Sequence, residues 1–164
     1  GIGWIGKHSN IINKKIGSWM FIGHLLSTES LTPDKPAKPL CGSCDLCIKA
    51  CPTNAITKPF IVNSNRCIAY HTIENRKNEL PKDIIRSMGN WVAGCDICQD
   101  VCPWNHKNIP SSKEPEIQPQ EWMLNLTKEK ILKWNDEEWK VKLRGTALKR
   151  IKPWMWKRNA KSIN

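Results

Sequence analysis

The order of the eight cysteines constrains this chain more than any other feature of its sequence. A first group reads Cys41-Gly-Ser-Cys-Asp-Leu-Cys-Ile-Lys-Ala-Cys-Pro52, and a second reads Cys95-Asp-Ile-Cys-Gln-Asp-Val-Cys-Pro103. Cys67 stands alone between the two groups. Three cysteines at two-residue intervals can wrap one corner of an iron–sulfur cube, whereas a fourth that precedes proline points away from it. In bacterial two-cluster ferredoxins, that fourth cysteine ligates the other cluster.

The same crossing accounts for every cysteine of the chain and predicts two [4Fe–4S] clusters. The predicted ligands of the first cluster are Cys41, Cys44, Cys47 and Cys102. Those of the second are Cys51, Cys67, Cys95 and Cys98. Such a pair of clusters transfers single electrons, so the sequence predicts an electron-transfer module.

Two other interpretations of the cysteines, a zinc site and a disulfide scaffold, explain the pattern less well than two iron–sulfur clusters. Cys41 and Cys44 could bind zinc together with Cys95 and Cys98, since paired C-x2-C units often do so. Zinc would leave four cysteines unexplained, including both that precede proline. A disulfide scaffold requires an oxidising compartment, for which nothing in the sequence argues.

The chain opens on Gly1-Ile-Gly-Trp-Ile-Gly6, which spells the G-x-G-x-x-G of dinucleotide-binding loops. Such a loop follows a strand and opens a helix at its third glycine. Residues 8–26, with Gly17 and Gly23 among β-branched and aromatic residues, instead predict two short strands around a turn. A dinucleotide site is therefore not favoured.

Proline-rich stretches divide the chain into predicted segments. The predicted domains and linkers are 1–31, an apolar β-rich piece; 32–39, a stiff linker; 40–107, the cluster domain; 108–120, a second linker; and 121–164, a basic helical region. Within the cluster domain, short helices are predicted after Cys44 and from Pro81 to Met88.

The region after residue 121 has a helical pattern. One amphipathic helix is predicted to carry Leu124, Leu126, Ile131, Leu132 and Trp134. The next helix, capped by Asn135 or Asp136, is predicted to carry Trp139, Val141 and Leu143. Pro153 is predicted to break or kink the last helix.

Charge indicates an anionic partner. The chain has 26 Lys and Arg against 15 Asp and Glu, a net charge of +11. Residues 140–164 contain nine basic residues and no acidic one. Four tryptophans lie in or beside this stretch, either as core or as stacking surfaces: Trp134, Trp139, Trp154 and Trp156. A solvated helix face is the simpler interpretation of the basic run.

Several motifs together resemble the C-terminal half of the epoxyqueuosine reductase family. They are Gly3-Trp-Ile-Gly-Lys-His8, Gly17-Ser18, Cys41 to Ile56, Arg66-Cys-Ile68, Tyr70, Thr72-Ile-Glu74, Met88-Gly-Asn90, Gly94 to Asn105 and Arg144 to Ile151. The resemblance spans nearly the whole chain. It implies an α+β architecture in which the end of a cobalamin-binding α/β domain is followed by a two-cluster ferredoxin-like domain and an α-helical segment.

The resemblance also implies a function. Such enzymes reduce epoxyqueuosine at the wobble position of tRNA to queuosine, with two [4Fe–4S] clusters passing electrons to cobalamin. The proton donor of the family is an aspartate of the N-terminal half, so no catalytic residue is assigned here and the chain alone is expected to be inactive. The implied partners are a tRNA with a queuosine-type anticodon and an electron donor such as a flavodoxin or ferredoxin. The implied protein is a cytoplasmic monomer that does not bind membranes.

Residue assignments follow from the same resemblance. Cobalamin contacts are implied for Gly6, Lys7, Gly17, Ser18, Cys95 and Asp96. Contacts with tRNA are expected from the basic run, at Lys149, Arg150, Lys152, Lys157 and Arg158. Two alternatives remain: a stand-alone ferredoxin-type electron carrier, or another cobalamin and iron–sulfur reductase such as a reductive dehalogenase.

Overall fold

A computed structural model describes residues 1–106, 109 and 111–163. Lys107, Asn108, Pro110 and Asn164 lie outside the described residues, and with them the first residue and one proline of the predicted linker 108–120. The chain divides into two compact units. Unit 1 comprises Gly1–Val62 and Ile97–Ser111, and unit 2 comprises Asn63–Asp96 and Ser112–Asn164. The domain boundaries drawn from the sequence remain predictions.

Unit 1 begins with two short strands, and only the second of them lies within residues 8–26, where the sequence analysis predicted both. Strand β1 (Trp4–Ile5) pairs antiparallel with β2 (Ile11–Ile12), with Trp4 opposite Ile12. The first strand thus lies inside the glycine motif rather than before it, and no helix follows the third glycine. A turn from Gly6 to Ser9 joins the strands, since the Ser9 N–H donates to the Gly6 carbonyl at 2.8 Å.

The rest of unit 1 consists of short elements around the cysteine groups. They are α1 (Leu46–Ala50), the hairpin of β3 (Ile56–Lys58) and β4 (Ile61–Val62), α4 (Ile97–Asp100) and a 3-10 turn at Pro103–Asn105. Helix α1 confirms the helix predicted after Cys44. The small core of this unit contains Trp4, Ile12 and Cys102, and the Trp4 and Trp104 rings pack edge to face with centroids 4.9 Å apart.

Unit 2 is helical. Its helices are α2 (Ile68–Ile73), α3 (Lys82–Ser87), α5 (Glu121–Leu124), α6 (Lys128–Lys133), α7 (Asp136–Lys142) and α8 (Pro153–Ser162), with 3-10 turns at Ser64–Arg66, Pro115–Ile117 and Ala147–Arg150. Helix α3 begins directly after Pro81, which confirms the helix expected from that proline. The main core of the unit is built from α6, α7 and α8 around the buried side chains of Ile131, Trp139, Leu143, Met155 and Trp156.

Two predictions for the C-terminal region were wrong. The single helix predicted from Leu124 to Trp134 is two helices, α5 and α6. Thr127 starts the second one as its N-cap, since its side-chain oxygen accepts a hydrogen bond from the Lys130 N–H. Pro153 does not break the last helix but occupies its first turn, where the missing N–H costs no intrahelical bond. The predicted cap at Asn135 is confirmed, as a capping box with Glu138.

Among the described residues, no helix combines the length and apolar composition needed to cross a membrane.

Candidate functional site

The four cysteines predicted to hold the first cluster line one cavity of unit 1. Its volume is about 280 Å³. The lining residues are Lys7, His8, Ile12, Leu40, Cys41, Cys44, Leu46, Cys47, Cys102, Pro103 and Trp104. The structure thus brings together residues 41–47 and residue 102, which are far apart in the chain, as the crossing predicts.

Local backbone structure places these four thiols. A tight turn joins Cys41 to Cys44, with the Cys44 N–H donating to the Cys41 carbonyl at 3.0 Å. Helix α1 then carries Cys47 as its second residue. Cys102 follows α4, and its N–H donates to the Gln99 carbonyl at 3.0 Å before Pro103 starts the 3-10 turn.

The electrostatics of the cavity favour a positively charged occupant. Desolvation raises the pKa of the Cys47 thiol, and the negative charges of Cys102, Cys41 and Cys44 raise it further. Desolvation likewise raises the pKa of Cys102, together with the charges of Cys41 and Cys44, against hydrogen bonds from the backbone of Trp104 and Asn105. Four thiolates this close repel one another, and iron ions relieve that repulsion. The donor set therefore fits a [4Fe–4S] cluster, in which each iron takes one cysteine.

A cubane has its irons at separate corners, so its ligands need not converge on one point. In the part of the chain that the structure describes, no group of three or more His, Cys, Asp or Glu side chains could hold a single metal ion.

Lys7 supports the loop of the first cysteine group. Its ammonium donates to the carbonyl of Gly42 at 2.8 Å and to that of Cys44 at 2.7 Å. The resemblance implied that Lys7 contacts cobalamin, but two of its three ammonium hydrogens are used inside unit 1. Its observed role is to hold the Cys41–Cys44 turn against the strand pair.

His8, which ends the motif that begins at Gly3 but had no role assigned from the sequence, also lines this cavity. The side chain is buried, and desolvation lowers the pKa of its imidazole. Gly6 leaves room for the ring, because a Cβ at Gly6 would lie 2.9 Å from His8 Cε1 and 2.6 Å from Ile12 Cδ1. Gly6, the third glycine of the opening motif, is thus required for packing against His8 and Ile12, which the motif alone did not indicate.

Gly17 and Ser18, also implied to contact cobalamin, belong to a hydrogen-bond network within unit 1. The Ser18 N–H donates to Asn105 Oδ1 at 2.7 Å, and its hydroxyl donates to Gln99 Oε1 at 2.9 Å. Asn105 Nδ2 donates to Ser18 Oγ and to the Gln99 carbonyl, both at 2.8 Å. These side-chain polar atoms are satisfied by protein, so direct cobalamin contact by Gly17 or Ser18 stays a prediction.

The second predicted ligand set draws on both units. Cys51 and Cys98 lie in unit 1, at the end of α1 and on α4, whereas Cys67 and Cys95 lie in unit 2. Burial raises the pKa of Cys51, but hydrogen bonds from the Thr53 side chain and the backbone of Ala55, Thr53 and Ile56 outweigh it and leave the pKa lowered. The Ala55 N–H lies 3.2 Å from Cys51 Sγ.

In unit 2, Cys67 directly precedes α2, and Cys95 packs against the cluster of Ile68, Leu80, Ile84 and Met88. The union of Cys51, Cys67, Cys95 and Cys98 in one cluster stays a prediction, as does the cobalamin contact of Cys95 and Asp96.

The basic residues predicted to contact tRNA differ in exposure. Lys149, Arg150 and Lys152 are exposed and Lys157 is half-buried. Arg150 also pairs with Glu74 at 2.9 Å. Together these four residues leave a basic surface on unit 2 around the start of α8.

Arg158 is buried, unlike these four residues, although it also lines the groove that contains Trp154, so its contact with tRNA stays a prediction. Only 8% of it is exposed, and its guanidinium donates to the carbonyls of His71 at 2.8 Å, Asn75 at 2.7 Å and Lys77 at 2.5 Å. Desolvation lowers its pKa, with a further contribution from Arg76. Arg158 thus serves as an internal support of the loop after α2. A basic residue in a run gives no sequence signal of such burial.

The tryptophans near this surface also divide. Trp134, Trp139 and Trp156 are core residues, whereas Trp154 is 40% exposed. Trp154 lines an open groove of about 540 Å³ in unit 2 with Lys82, Lys157 and Lys161 among its other residues. The groove adds Lys82 and Lys161 to the basic residues that the sequence analysis had selected.

The family model described as a 4Fe-4S double cluster binding domain matches residues 40–105. The epoxyqueuosine reductase of Prochlorococcus marinus (strain NATL2A) is 68% identical over 164 residues, which cover 100% of this chain and 53% of that protein. The chain is a homologue of epoxyqueuosine reductase. It spans about half the length of the curated relatives that it matches, in their C-terminal part.

Solved epoxyqueuosine reductases have the same fold over this region. One, crystallised with an epoxyqueuosine-modified tRNA-Tyr stem loop, has a TM-score of 0.91 at 31% identity, over 99% of this chain and 42% of that one. Another, from Bacillus subtilis, also has a TM-score of 0.91 at 31% identity, over 99% of this chain and 43% of that one. The predicted mixed α+β class with a two-cluster ferredoxin-like domain is thereby confirmed.

Proposed function

We propose that this chain is the cluster-bearing part of an enzyme that reduces epoxyqueuosine in tRNA to queuosine. The observation that carries the proposal is similarity over 99% of the chain to a reductase crystallised with an epoxyqueuosine-modified stem loop. Converting the epoxide to an alkene breaks two C–O bonds and releases the oxygen as water. The reaction consumes two electrons and two protons, which explains why such an enzyme needs a path for single electrons.

The first cysteine set supports this role of the chain. Its thiols line a mostly apolar cavity together with Ile12, Leu40 and Trp104, and Cys47 and Cys102 are buried. Burial of this kind, together with hydrogen bonds to the sulfurs, sets the potential of a bound cluster. The second cluster, on Cys51, Cys67, Cys95 and Cys98, completes the proposed path, and an external flavodoxin or ferredoxin supplies the electrons one at a time.

Cobalamin belongs to the proposal through the family resemblance. When bound, it would supply the two-electron chemistry at the epoxide carbon. In this chain its surroundings would include the segment from Gly6 to Ser18 and the pair Cys95 and Asp96. Because Lys7 and Ser18 already bond to protein, we expect this segment to contribute shape and backbone groups more than side-chain hydrogen bonds. In the proposed architecture this segment ends the cobalamin-binding domain.

The tRNA would meet unit 2. Lys149, Arg150, Lys152 and Lys157 are placed to contact phosphates, since they surround the exposed start of α8. Trp154 offers an exposed aromatic face in the groove beside them, on which an unpaired base could stack. We propose further that the protein acts as a cytoplasmic monomer.

The proposal is tested in cells that lack the last step of queuosine formation. The full-length protein should convert epoxyqueuosine to queuosine, measured by the mass of the tRNA nucleoside. The matched control is full-length protein with Cys47→Ala, which should leave epoxyqueuosine in place at equal expression. If the unaltered protein carries both clusters but leaves epoxyqueuosine untouched, it is an electron carrier or another reductase and the proposal fails.

A further inference from the structure

We propose that His8 Nε2–H donates a hydrogen bond to a sulfur of the cluster held by Cys41, Cys44, Cys47 and Cys102, and thereby raises the reduction potential of that cluster. His8 would be a positioning and tuning residue rather than a ligand. The inference rests on the proposed function only in requiring that this cluster be present.

The hydrogen bond from Asn10 assigns the tautomer of His8. The Asn10 N–H donates to His8 Nδ1 at 3.2 Å. Nδ1 is therefore an acceptor, and in the neutral imidazole the ring proton is assigned to Nε2. The backbone turn thus fixes which nitrogen can donate.

That donor has no partner among the residues that the structure describes. His8 is 4% exposed, and its Nε2 is a buried polar atom without a hydrogen bond. Buried donors in native proteins are rarely left unsatisfied, because they lose their hydrogen bonds to water without replacement. An acceptor is therefore expected in the space that His8 faces.

The cavity contains the acceptor when its cluster is bound. His8 shares the lining with the four cysteines, whose thiolate sulfurs and the sulfides of the cluster are acceptors of N–H donors. A donor stabilises the more negative, reduced cluster more than the oxidised one, so it shifts the equilibrium toward reduction.

The local sequence is suited to this placement. Gly6 leaves space for the ring, and Lys7 anchors the facing turn through the Gly42 and Cys44 carbonyls. Consecutive residues of one turn therefore fix the cysteine loop and aim a donor into its cavity. Both residues lie in the turn that joins strands β1 and β2.

The test uses the full-length protein, purified anaerobically with its clusters. Each cluster should give one one-electron reduction step in a redox titration. In His8→Phe, the midpoint potential of one of these steps should fall by about 59 mV, which raises the oxidised-to-reduced ratio at a fixed potential about tenfold. His8→Gln keeps an N–H donor and should recover part of that shift. His24→Phe, at an exposed histidine of the same unit, is the matched control and should leave both steps in place.

A second measurement does not depend on the variants. With 15N-labelled histidine, pulsed electron paramagnetic resonance of the reduced wild-type protein should show a coupled 15N and an exchangeable proton at one cluster. Full iron content without that coupling, or an unchanged potential in His8→Phe with both clusters retained, overturns the inference. Purified protein without [4Fe–4S] signals overturns the proposed function itself, so the two failures are distinct.

Discussion

Ser18 and Asn105 bind each other reciprocally, although 87 positions separate them in the chain. The Ser18 N–H donates to Asn105 Oδ1 at 2.7 Å, and Asn105 Nδ2 donates to Ser18 Oγ at 2.8 Å. This pair ties the segment after the first strands to the turn that follows Cys102. Ser18 therefore supports the turn Pro103–Asn105, of which Pro103 and Trp104 line the cluster cavity of unit 1.

Gly17 makes that pairing possible, and its replacement should destabilise the protein. Its φ is +66°, and a Cβ there would overlap Asn105 Oδ1. We expect Gly17→Ala to cost more than about 1 kcal/mol of unfolding free energy. Gly23→Ala is the matched control, since a Cβ at Gly23 meets nothing within 4 Å. Thermal unfolding of both variants, at equal iron content, compares them. Equal melting temperatures would contradict the predicted overlap.

Iron analysis tests the crossed cysteine assignment. Two [4Fe–4S] clusters bring about eight irons to each chain, and loss of either cluster should leave about four. Cys47→Ala combined with Cys102→Ala should lose no more iron than either change alone, because both belong to one cluster. Cys47→Ala combined with Cys51→Ala should lose both clusters. Additive losses in the first pair would disprove the shared site.

Lys7 should slow the loss of the first cluster. Charge-assisted hydrogen bonds contribute about 1.5–3 kcal/mol, so Lys7→Met should release iron to a chelator roughly tenfold or more faster. Lys49→Met is the matched control, since Lys49 makes only an exposed ion pair with Asp45 on α1. If the two variants release iron at the same rate, the hydrogen bonds of Lys7 to Gly42 and Cys44 have no role in retaining the cluster.

Arg158 should matter for stability rather than for tRNA. Its guanidinium donates to the carbonyls of His71, Asn75 and Lys77. Arg158→Met removes the donor of all three bonds, two of which are buried, and we expect a loss of about 2–3 kcal/mol, seen as a lower melting temperature. If Arg158→Met instead binds tRNA more weakly at an unchanged melting temperature, Arg158 contributes to tRNA binding rather than to stability.

The exposed lysines of the same region should act on binding alone. Replacing Lys149 and Lys152 by Gln should weaken tRNA binding and reduce the slope of log affinity against log salt by roughly 0.7–0.9 for each phosphate that the protein no longer neutralises. Replacing Lys14 and Lys15 by Gln removes the same charge from exposed positions of unit 1 and is the control. A similar change of slope in both double variants would show that only net charge matters.

The spacing of Cys41, Cys44 and Cys47 could be interpreted from the sequence because a tight turn and a short helix are local structures. The cap at Asn135 was predictable for the same reason, since its partner Glu138 is three residues away. By contrast, the run from Leu124 to Trp134 matched a helical period throughout. The sequence allowed either a continuous helix or a new helix capped by Thr127, and the structure has the second arrangement.

The sequence by itself determined the chemistry of this protein, since cysteines before proline at these intervals specify thiolate ligands and basic residues specify an anionic partner. Tertiary structure decided which side chains are available for that chemistry. Lys7 and Arg158 carry the charges expected of ligand contacts, and in the structure they donate to backbone carbonyls. His8 belonged to a motif of the family resemblance but had no role assigned from the sequence, and the turn places it among the cysteines. The physical reason is that burial and hydrogen-bond satisfaction depend on residues distant in the chain, which no local pattern contains.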